Sequence, residues 1–568
     1  MKSRRTERPV RVGLISLGCA KNLVDSEIML GSLMADGVEI TPDAAQADVV
    51  IVNTCSFIGS AQEESIDAIL ESAALREASN RSQGLIVSGC LPQRFRDELP
   101  KLLPEVDVFM GIDQVGQITH FVHQALEHRR QRIVGRSPTS SVQHLKPAIS
   151  EGFAALDRAR ATSPSPEDIP RTRRVDPTRA ALKPPAAATS ASTRYLGPPP
   201  VEVSPRPSYL PDFATPRFRL TPKHFAYLKI AEGCNHPCSF CIIPRMRGSH
   251  RSRPPADIVR EARQLLASGV KELNLVSQDS TYYGMDLRPS PSRAIGAPDR
   301  FQAATKALRS DAPTLCTLLR DLNSLPGEYW IRLLYTHPAH WTDELIRTIA
   351  ECPKVARYVD IPLQHIHHNM LERMRRETSQ AYLVDLIGRI RAGLPGITLR
   401  TTFIVGFPGE TEAYFQTLLD FIREARFERL GVFAYSKEEG TRAGNMADQV
   451  PDRIKQRRRE VAMTEQLEVA RQIGASFVGR TIKVLVEKEA SAEELNNAHC
   501  VSWEHGLIRH SRTPSAELQA QRVVVARGEA DAPDIDGRVY GRGKLPAGEF
   551  ARVKVIGHTD YDLIAEPA

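Results

Sequence analysis

FAYLKIAEGCNHPCSFC, residues 225–241, runs from an apolar, strand-like stretch straight into three cysteines spaced as Cys-x-x-x-Cys-x-x-Cys. FAYLKIAE has the composition and length of a buried strand. Cys234, Cys238 and Cys241 fall within eight residues, so three thiolates can wrap one face of a [4Fe-4S] cube and leave the fourth iron without a protein ligand. A cluster that only shuttles electrons is normally held by four cysteines, whereas an open iron can bind substrate, as a catalytic zinc keeps an open position. The competing reading is a zinc site completed by His236 or His250. Structural zinc sites usually pair two knuckles, however, and no second knuckle lies nearby.

Downstream, strand and helix alternate. Candidate strands after FAYLKIAE are KELNLVSQ, WIRLLYT, VARYVDIPLQ, ITLRTTFIVG and RLGVFAYS, with helices such as 257–268 and 414–425 between them. Six β/α units predict an open, partial barrel. A polar helical run follows at 454–477. The last ninety or so residues change character, with RTIKVLVEK, QRVVVARG, DGRVYGRG and EFARVKVIG separated by Gly, Pro and Asp, which predicts a small antiparallel barrel.

Upstream, RVGLISLG, ADVVIVNT and GLIVSG are short Val/Ile-rich runs, with a helical stretch such as 61–78 following. Such a βαβ series makes a parallel sheet whose ligands gather at the carboxyl ends of its strands. Cys19, Cys55 and Cys90 each follow directly on one of these runs, 36 and 35 residues apart, about one βα unit each. Any one of them alone reads as a small buried residue. Matched positions at three strand ends instead bring three thiols to one sheet edge. Cys316, Cys352 and Cys500 show no such pattern and are assigned to packing.

Between these regions, residues 161–220 hold thirteen prolines and no sustained period, and read as a disordered or extended linker. RPSPSRAIGAPDR at 288–300 reads as a surface insertion. The expected organisation of this α/β multidomain chain is an N-terminal sheet domain over 1–135, a Pro-rich linker over 136–221, a partial (β/α)6 barrel over 222–475 and a small barrel over 476–568. With 568 residues and 41% apolar content the chain is long enough for about three folded units. No apolar run approaches the roughly 18 residues of a membrane helix. The charged start MKSRRTERPVRVG lacks the apolar core of a signal peptide, so a cytoplasmic location is expected, with thiols reduced. A net charge of +7 permits an RNA or ribonucleoprotein partner without arguing for one.

The spacing at 234–241, after the first strand of a six-unit β/α region, resembles the radical S-adenosylmethionine superfamily. The resemblance implies that the open iron chelates the amino and carboxylate groups of S-adenosylmethionine, which one electron cleaves to methionine and a deoxyadenosyl radical. Gln278 in VSQD and Gln364 in IPLQH fall at carboxyl strand ends, and Gly406 and Gly409 in IVGFPGE match the superfamily's glycine-containing cofactor segment. These four are the expected S-adenosylmethionine contacts, although strand-end glutamines also serve as simple caps.

Three N-terminal cysteines, a radical core and a small C-terminal barrel together resemble the methylthiotransferase family, the barrel being like its TRAM domain. That resemblance implies a second [4Fe-4S] cluster on Cys19, Cys55 and Cys90, in SLGCAKNLVDSE, VNTCSF and VSGCLPQ, which supplies or carries the sulfur. Two branches of the family compete, one modifying a transfer-RNA adenosine, the other an aspartate of small-subunit ribosomal protein S twelve. SLGCAKNLVDSE with Lys21, residues 226–248 and DAPDIDGRVY at 531–540 are similar to the ribosomal-protein branch. The β-carbon of an aspartate carries no proton a general base could remove at ordinary pH, so a carbon radical is required. Expected partners are therefore the ribosomal protein or small subunit and an electron donor, with transfer RNA as the alternative substrate and no membrane. A plain nucleic-acid-binding module is the rival class. Asp531, Asp534, Asp536, Glu549, Asp560, Asp562 and Glu566 in the small barrel count against it, since they would repel phosphate.

Overall fold

A computed structural model of the chain describes residues 8–134, 199–288, 296–309, 311–490, 501–502, 507–508 and 523–568. The N-terminal unit is a parallel sheet of β1 (Arg11–Ser16), β2 (Glu39–Ile40), β3 (Val49–Thr54), β4 (Gly84–Gly89), β5 (Val108–Met110) and β6 (Val201–Glu202), in the order β2-β1-β3-β4-β5-β6. β3 and β4 are buried along their whole length. That is why they read as continuous Val/Ile runs rather than alternating ones. β2, β5 and β6 are two or three residues long and left no sequence signal.

The tail of the Pro-rich stretch departs from the linker expectation, while 136–198 lies outside the described residues. The chain leaves the sheet unit at the end of helix Ile118–Val134 and is back on it at Pro200, whose carbonyl accepts from Phe109 N at 2.9 Å. Residues 203–221 then form a strap held by carboxylates. Asp113 accepts from the backbone amides of Ser208 and Tyr209, and Glu27 accepts from those of Leu220 and Thr221. Arg217 adds ion pairs to Glu27 and, at 2.6 Å, to Glu261. Prolines abolish periodicity but leave the intervening N–H groups free to bond side chains, which is how a segment without helix or strand becomes ordered.

The second unit opens with β7 (Phe225–Lys229). A short antiparallel ribbon of β8 (Ala231–Glu232) and β9 (Arg251–Ser252) brackets the cysteine loop. β10 (Glu272–Val276), β11 (Trp330–Leu333), β12 (Val355–Asp360), β13 (Thr398–Val405) and β14 (Arg429–Ala434) follow, and the parallel sheet runs in chain order from β7 to β14 without the two ends pairing. This is the open six-strand barrel expected, with helices Pro255–Ala267, Glu412–Ala425 and Asp452–Phe477 where helical period placed them. Part of the expected surface insertion is helical, Pro298–Lys306. Its buried Phe301 stacks on His340 with ring centroids 4.2 Å apart.

The third unit is a closed barrel of β15 (Thr481–Ala490), β18 (Val523–Gly528), β19 (Val539–Arg542), β21 (Leu563–Pro567) and β20 (Phe550–His558). All of its pairs are antiparallel except β19 with β21. Between β15 and β18, β16 (Val501–Ser502) and β17 (Leu507–Ile508) pair as a two-stranded ribbon, and the rest of that irregular stretch lies outside the described residues. The barrel docks on the amino-terminal side of the central strands, the end away from the cysteines. Arg527 bonds Glu487 at 2.6 Å and Glu272, the first residue of β10. Tyr358 donates to Asp536 at 2.7 Å, and Arg429 pairs with Asp531. Asp531 and Asp536 thus correct the picture of surface acids repelling phosphate: they are buried and neutralised where the two units meet. No described helix is long and apolar enough to cross a membrane.

Candidate active site

The central thiols sit in the loop between β8 and β9. Gly233 opens the loop at φ +83°, where a Cβ would lie 2.1 Å from the Ser249 carbonyl oxygen. No other residue fits that position. Cys234 N donates to Gly248 O at 3.1 Å, and Ser239 N to Met374 O at 2.9 Å. At the sulfurs, Ile243 N lies 3.4 Å from Cys241 Sγ and Arg376 Nη1 3.5 Å from Cys238 Sγ. Burial, and then the neighbouring Cys238, push the Cys241 thiol up to about 12. Burial, Asp279 and the other two cysteines likewise raise Cys234. Thiols buried in this way, as Cys234 and Cys241 are, become thiolates only around a cationic centre. The donor set therefore fits an iron-sulfur cluster. Both ring nitrogens of His236 are taken by carboxylates, Asp279 at 2.9 Å and Glu377 at 3.0 Å, and His250 bonds Ser252 at 3.2 Å.

The N-terminal thiols gather as their spacing implied. β1, β3 and β4 are adjacent, and their registers align Ser16 with Asn53 and Thr54 with Gly89. The residues that follow therefore leave the sheet at one edge. Gly18, at φ +87°, lies so close that a Cβ there would be 3.1 Å from Cys55 Sγ. Gly89, at φ +95°, turns the chain so that Cys90 begins a short helix. Burial raises the Cys90 thiol, Arg247 opposes this, and the negative charge of Cys19 adds to it, which puts those two sulfurs within electrostatic reach of each other. None of the described cysteines is in a disulfide, and Cys316 and Cys352 are buried in the central core.

A buried ionic network that sequence reasoning did not find joins the two sites. Arg247 donates to Cys90 Sγ at 3.3 Å, Asn22 at 3.2 Å, Asp25 at 2.8 Å and Glu232 at 3.3 Å. Lys229 holds the other oxygens of Asp25 and Glu232. Burial opposes ionisation of Glu232, yet Lys229 and Arg247 hold its carboxyl down to about 2. Gln278 closes the network: its amide nitrogen donates to Glu232 at 2.6 Å and its oxygen accepts from Gly233 N at 2.7 Å. Only the strand-like run at 225–232 was legible. The pairing spans more than 200 positions and has no local signal.

At the other strand ends, Gln364 adopts φ +72° and its backbone bridges to β13, while its buried Oε1 has no partner among the described residues. His337, stacked on His236 with centroids 3.5 Å apart, has an equally unpartnered Nε2. Burial lowers His236, but Asp279 and Glu377 outweigh it and hold the imidazole up at about 9. Gly406 and Gly409 face protein. A Cβ on either would strike Lys455 at 2.3 Å or Asp448 at 2.6 Å, and the buried Glu410 carboxylate pins Gly406 N while bonding His365 and Arg458. The glycine segment is thus shaped by packing against helix Asp452–Phe477. His337 Nε2 and Gln364 Oε1, beyond the β11 and β12 ends, are buried polar atoms left without a protein partner among the described residues, a donor set that suits a polar ligand.

Three family models match the chain: Uncharacterized protein family UPF0004 over residues 11–111, the Radical SAM superfamily over 228–422, and the TRAM domain over 516–567. Among curated proteins, the ribosomal protein uS12 methylthiotransferase RimO of Opitutus terrae is 48% identical, covering 98% of this chain and 97% of its own. The protein of the same name from Akkermansia muciniphila is 44% identical, covering 98% and 100%. Likeness to solved structures is looser. The radical S-adenosylmethionine methyltransferase TsrM of Kitasatospora setae, with cobalamin and a [4Fe-4S] cluster bound, is 16% identical, covers 77% of this chain and 74% of its own, and gives a TM-score of 0.45.

Proposed function

The chain belongs to the RimO family of ribosomal protein uS12 methylthiotransferases, and on that premise we propose that it joins a methylthio group to the β-carbon of an aspartate of uS12, using two [4Fe-4S] clusters and S-adenosylmethionine. Cys234, Cys238 and Cys241 hold the cluster that works with S-adenosylmethionine; Cys19, Cys55 and Cys90 hold the second. When bound, these groups supply a carbon-centred radical and a methylated sulfur, chemistry no side chain provides. The protein's own residues do the rest. Gln278 fixes the loop that presents Cys234, while Gln364 offers its free oxygen to S-adenosylmethionine and Gly406 and Gly409 shape the backbone beside it. Arg247 and Lys229 neutralise the carboxylates between the two thiol sets and keep that region dry. An external electron donor supplies the reducing electron.

The single observation that carries this reading is the reach of Arg247, which bonds a thiol of one set and, through Glu232 and Gln278, the loop of the other. Two metal centres meant to act on one substrate must be held in fixed register, and a buried ionic network is a rigid way to do it. The relatives reported above act, by name, on the ribosomal protein and lend nothing to transfer RNA. The test is anaerobic incubation of purified uS12 with the reconstituted, reduced enzyme and S-adenosylmethionine. Methylthiolated aspartate is the expected product. Modification of transfer RNA with none on uS12 would overturn the reading.

A further inference from the structure

Three cations lie where the N-terminal unit meets the mouth of the central barrel: Lys21, Lys229 and Arg247. All three are buried, Lys21 with 7% of its surface exposed. Lys229 and Arg247 each engage Asp25 and Glu232. Lys21 pairs with no carboxylate among the described residues. Asp25 stands one turn ahead of it on helix Ala20–Ala35, the spacing at which a lysine and an aspartate ordinarily meet. Both Asp25 oxygens are turned instead to Lys229 and Arg247. Lys229 and Arg247 thus occupy both carboxylates, and Lys21 is left with neither.

What Lys21 does touch is a ring face. Its Nζ lies 3.2 Å from the centroid of Tyr335. Tyr335 stands two residues beyond β11 at φ +58°, a conformation unfavourable for a tyrosine. Its backbone is held on both sides, with its N–H donating to Asp360 at 2.9 Å and its carbonyl accepting from Ser280 N at 2.9 Å. A strained residue fixed in this way belongs to a site rather than to ordinary packing. A ring face offsets only part of the cost of keeping an ammonium away from water and from anions. The position is also specific: Lys21 is two residues from Cys19 and lies against Tyr335, at the carboxyl end of a central strand.

We propose that Lys21 receives the side-chain carboxylate of the substrate aspartate, making it the residue that selects an acidic side chain at the reacting carbon. This rests on the substrate reading given above. An aspartate bound through its carboxylate presents its β-carbon one bond away from that group, so the ammonium both gains an anionic partner and fixes the reacting atom. Tyr335 holds the ammonium in place while the site is empty.

The test is binding of uS12 to the reconstituted holoenzyme, with the aspartate that the wild type modifies and with Asn at that position. Loss of one partner from a desolvated charge pair implies a preference for Asp over Asn of roughly thirtyfold in Kd for the wild type, shrinking to about twofold or less in Lys21→Met. Lys21→Arg keeps a preference. Lys21→Met keeps its iron and melts no lower than the wild type, because it removes an unpaired buried charge; should it lose iron, Lys21→Gln carries the same comparison. A preference for Asp that persists without the ammonium would overturn the proposal. So would loss of S-adenosylmethionine affinity with the preference intact, which would assign the ammonium to the cofactor's carboxylate. If the wild type binds neither form of uS12, the substrate reading itself falls and this assignment falls with it.

Discussion

Arg247 lies 3.3 Å from the sulfur of Cys90 while gripping Asp25 at 2.8 Å, so one guanidinium links a thiol of the N-terminal set to a carboxylate buried beneath the central loop. A cationic donor at a cluster sulfur stabilises the more negative, reduced state of the cluster. Replacing Arg247 with Lys keeps the charge but loses the fork that reaches both partners. The midpoint potential of the N-terminal cluster should fall, as read by redox titration followed by electron paramagnetic resonance, while that of the central cluster moves less. Arg247→Met should also cost about 3 kcal/mol or more of stability, since Asp25 and Glu232 would be left short of a partner.

Two three-thiolate sites imply about eight iron atoms per chain after anaerobic reconstitution. Replacing Cys234, Cys238 and Cys241 with Ala should halve the iron and abolish cleavage of S-adenosylmethionine. Full iron content in that variant would refute the assignment.

Replacing Cys19, Cys55 and Cys90 with Ala should separate the two halves of the chemistry. Deoxyadenosine release should largely persist, because the loop 234–241 is braced by Gly248, Met374 and Gln278, all in the central unit. Methylthiolated uS12 should vanish. Both products are to be measured in one reaction, and methylthio product surviving in this variant would remove the case for a second catalytic cluster.

Acid should weaken the small barrel, where Glu487 on β15 pairs with Arg527 on β18 and reaches His224 of the central unit. Burial works against ionisation of Glu487, but Arg527 and His224 outweigh it and hold the carboxyl down to about 2. A carboxylate depressed in the folded state contributes stability that is complete above its unfolded value, roughly 4.3, and is lost as pH falls toward 2. The contribution is on the order of 3 kcal/mol. Thermal melts between pH 5 and pH 2.5 should steepen for the wild type and flatten for Glu487→Gln. Equal slopes would mean that Glu487 does not carry this pH-dependent stability.

The parts of the chain that were legible in sequence are those in which chemistry follows local order. Three cysteines in eight residues need no tertiary information, and the 36- and 35-residue intervals from Cys19 to Cys90 carry the repeat of a parallel sheet directly. Strands buried on both faces, such as VVIVNT, declare themselves by composition. Long-range charge placement stayed hidden. Nothing near Asp531 in sequence indicates that Arg429 will neutralise it, and nothing near Lys21 indicates that Asp25 will be drawn away by Lys229 and Arg247. The strap at 203–221 was missed for a related reason: its order comes from carboxylates accepting backbone N–H groups, which leaves no period to detect.

The chain departs from the N-terminal sheet unit after Val134 and returns to that same unit at Pro200, beside Phe109. The stretch between is therefore an excursion closed upon one body, not a tether between two. Lengthening a closed excursion costs only logarithmically, about 0.6 kcal/mol for each doubling. The contact between the N-terminal unit and the central unit is set instead by the strap at 203–221 and by Arg247. Both ends of that stretch lie on one body, so the placing of Arg247 against Cys90 is fixed by contacts that do not depend on its length.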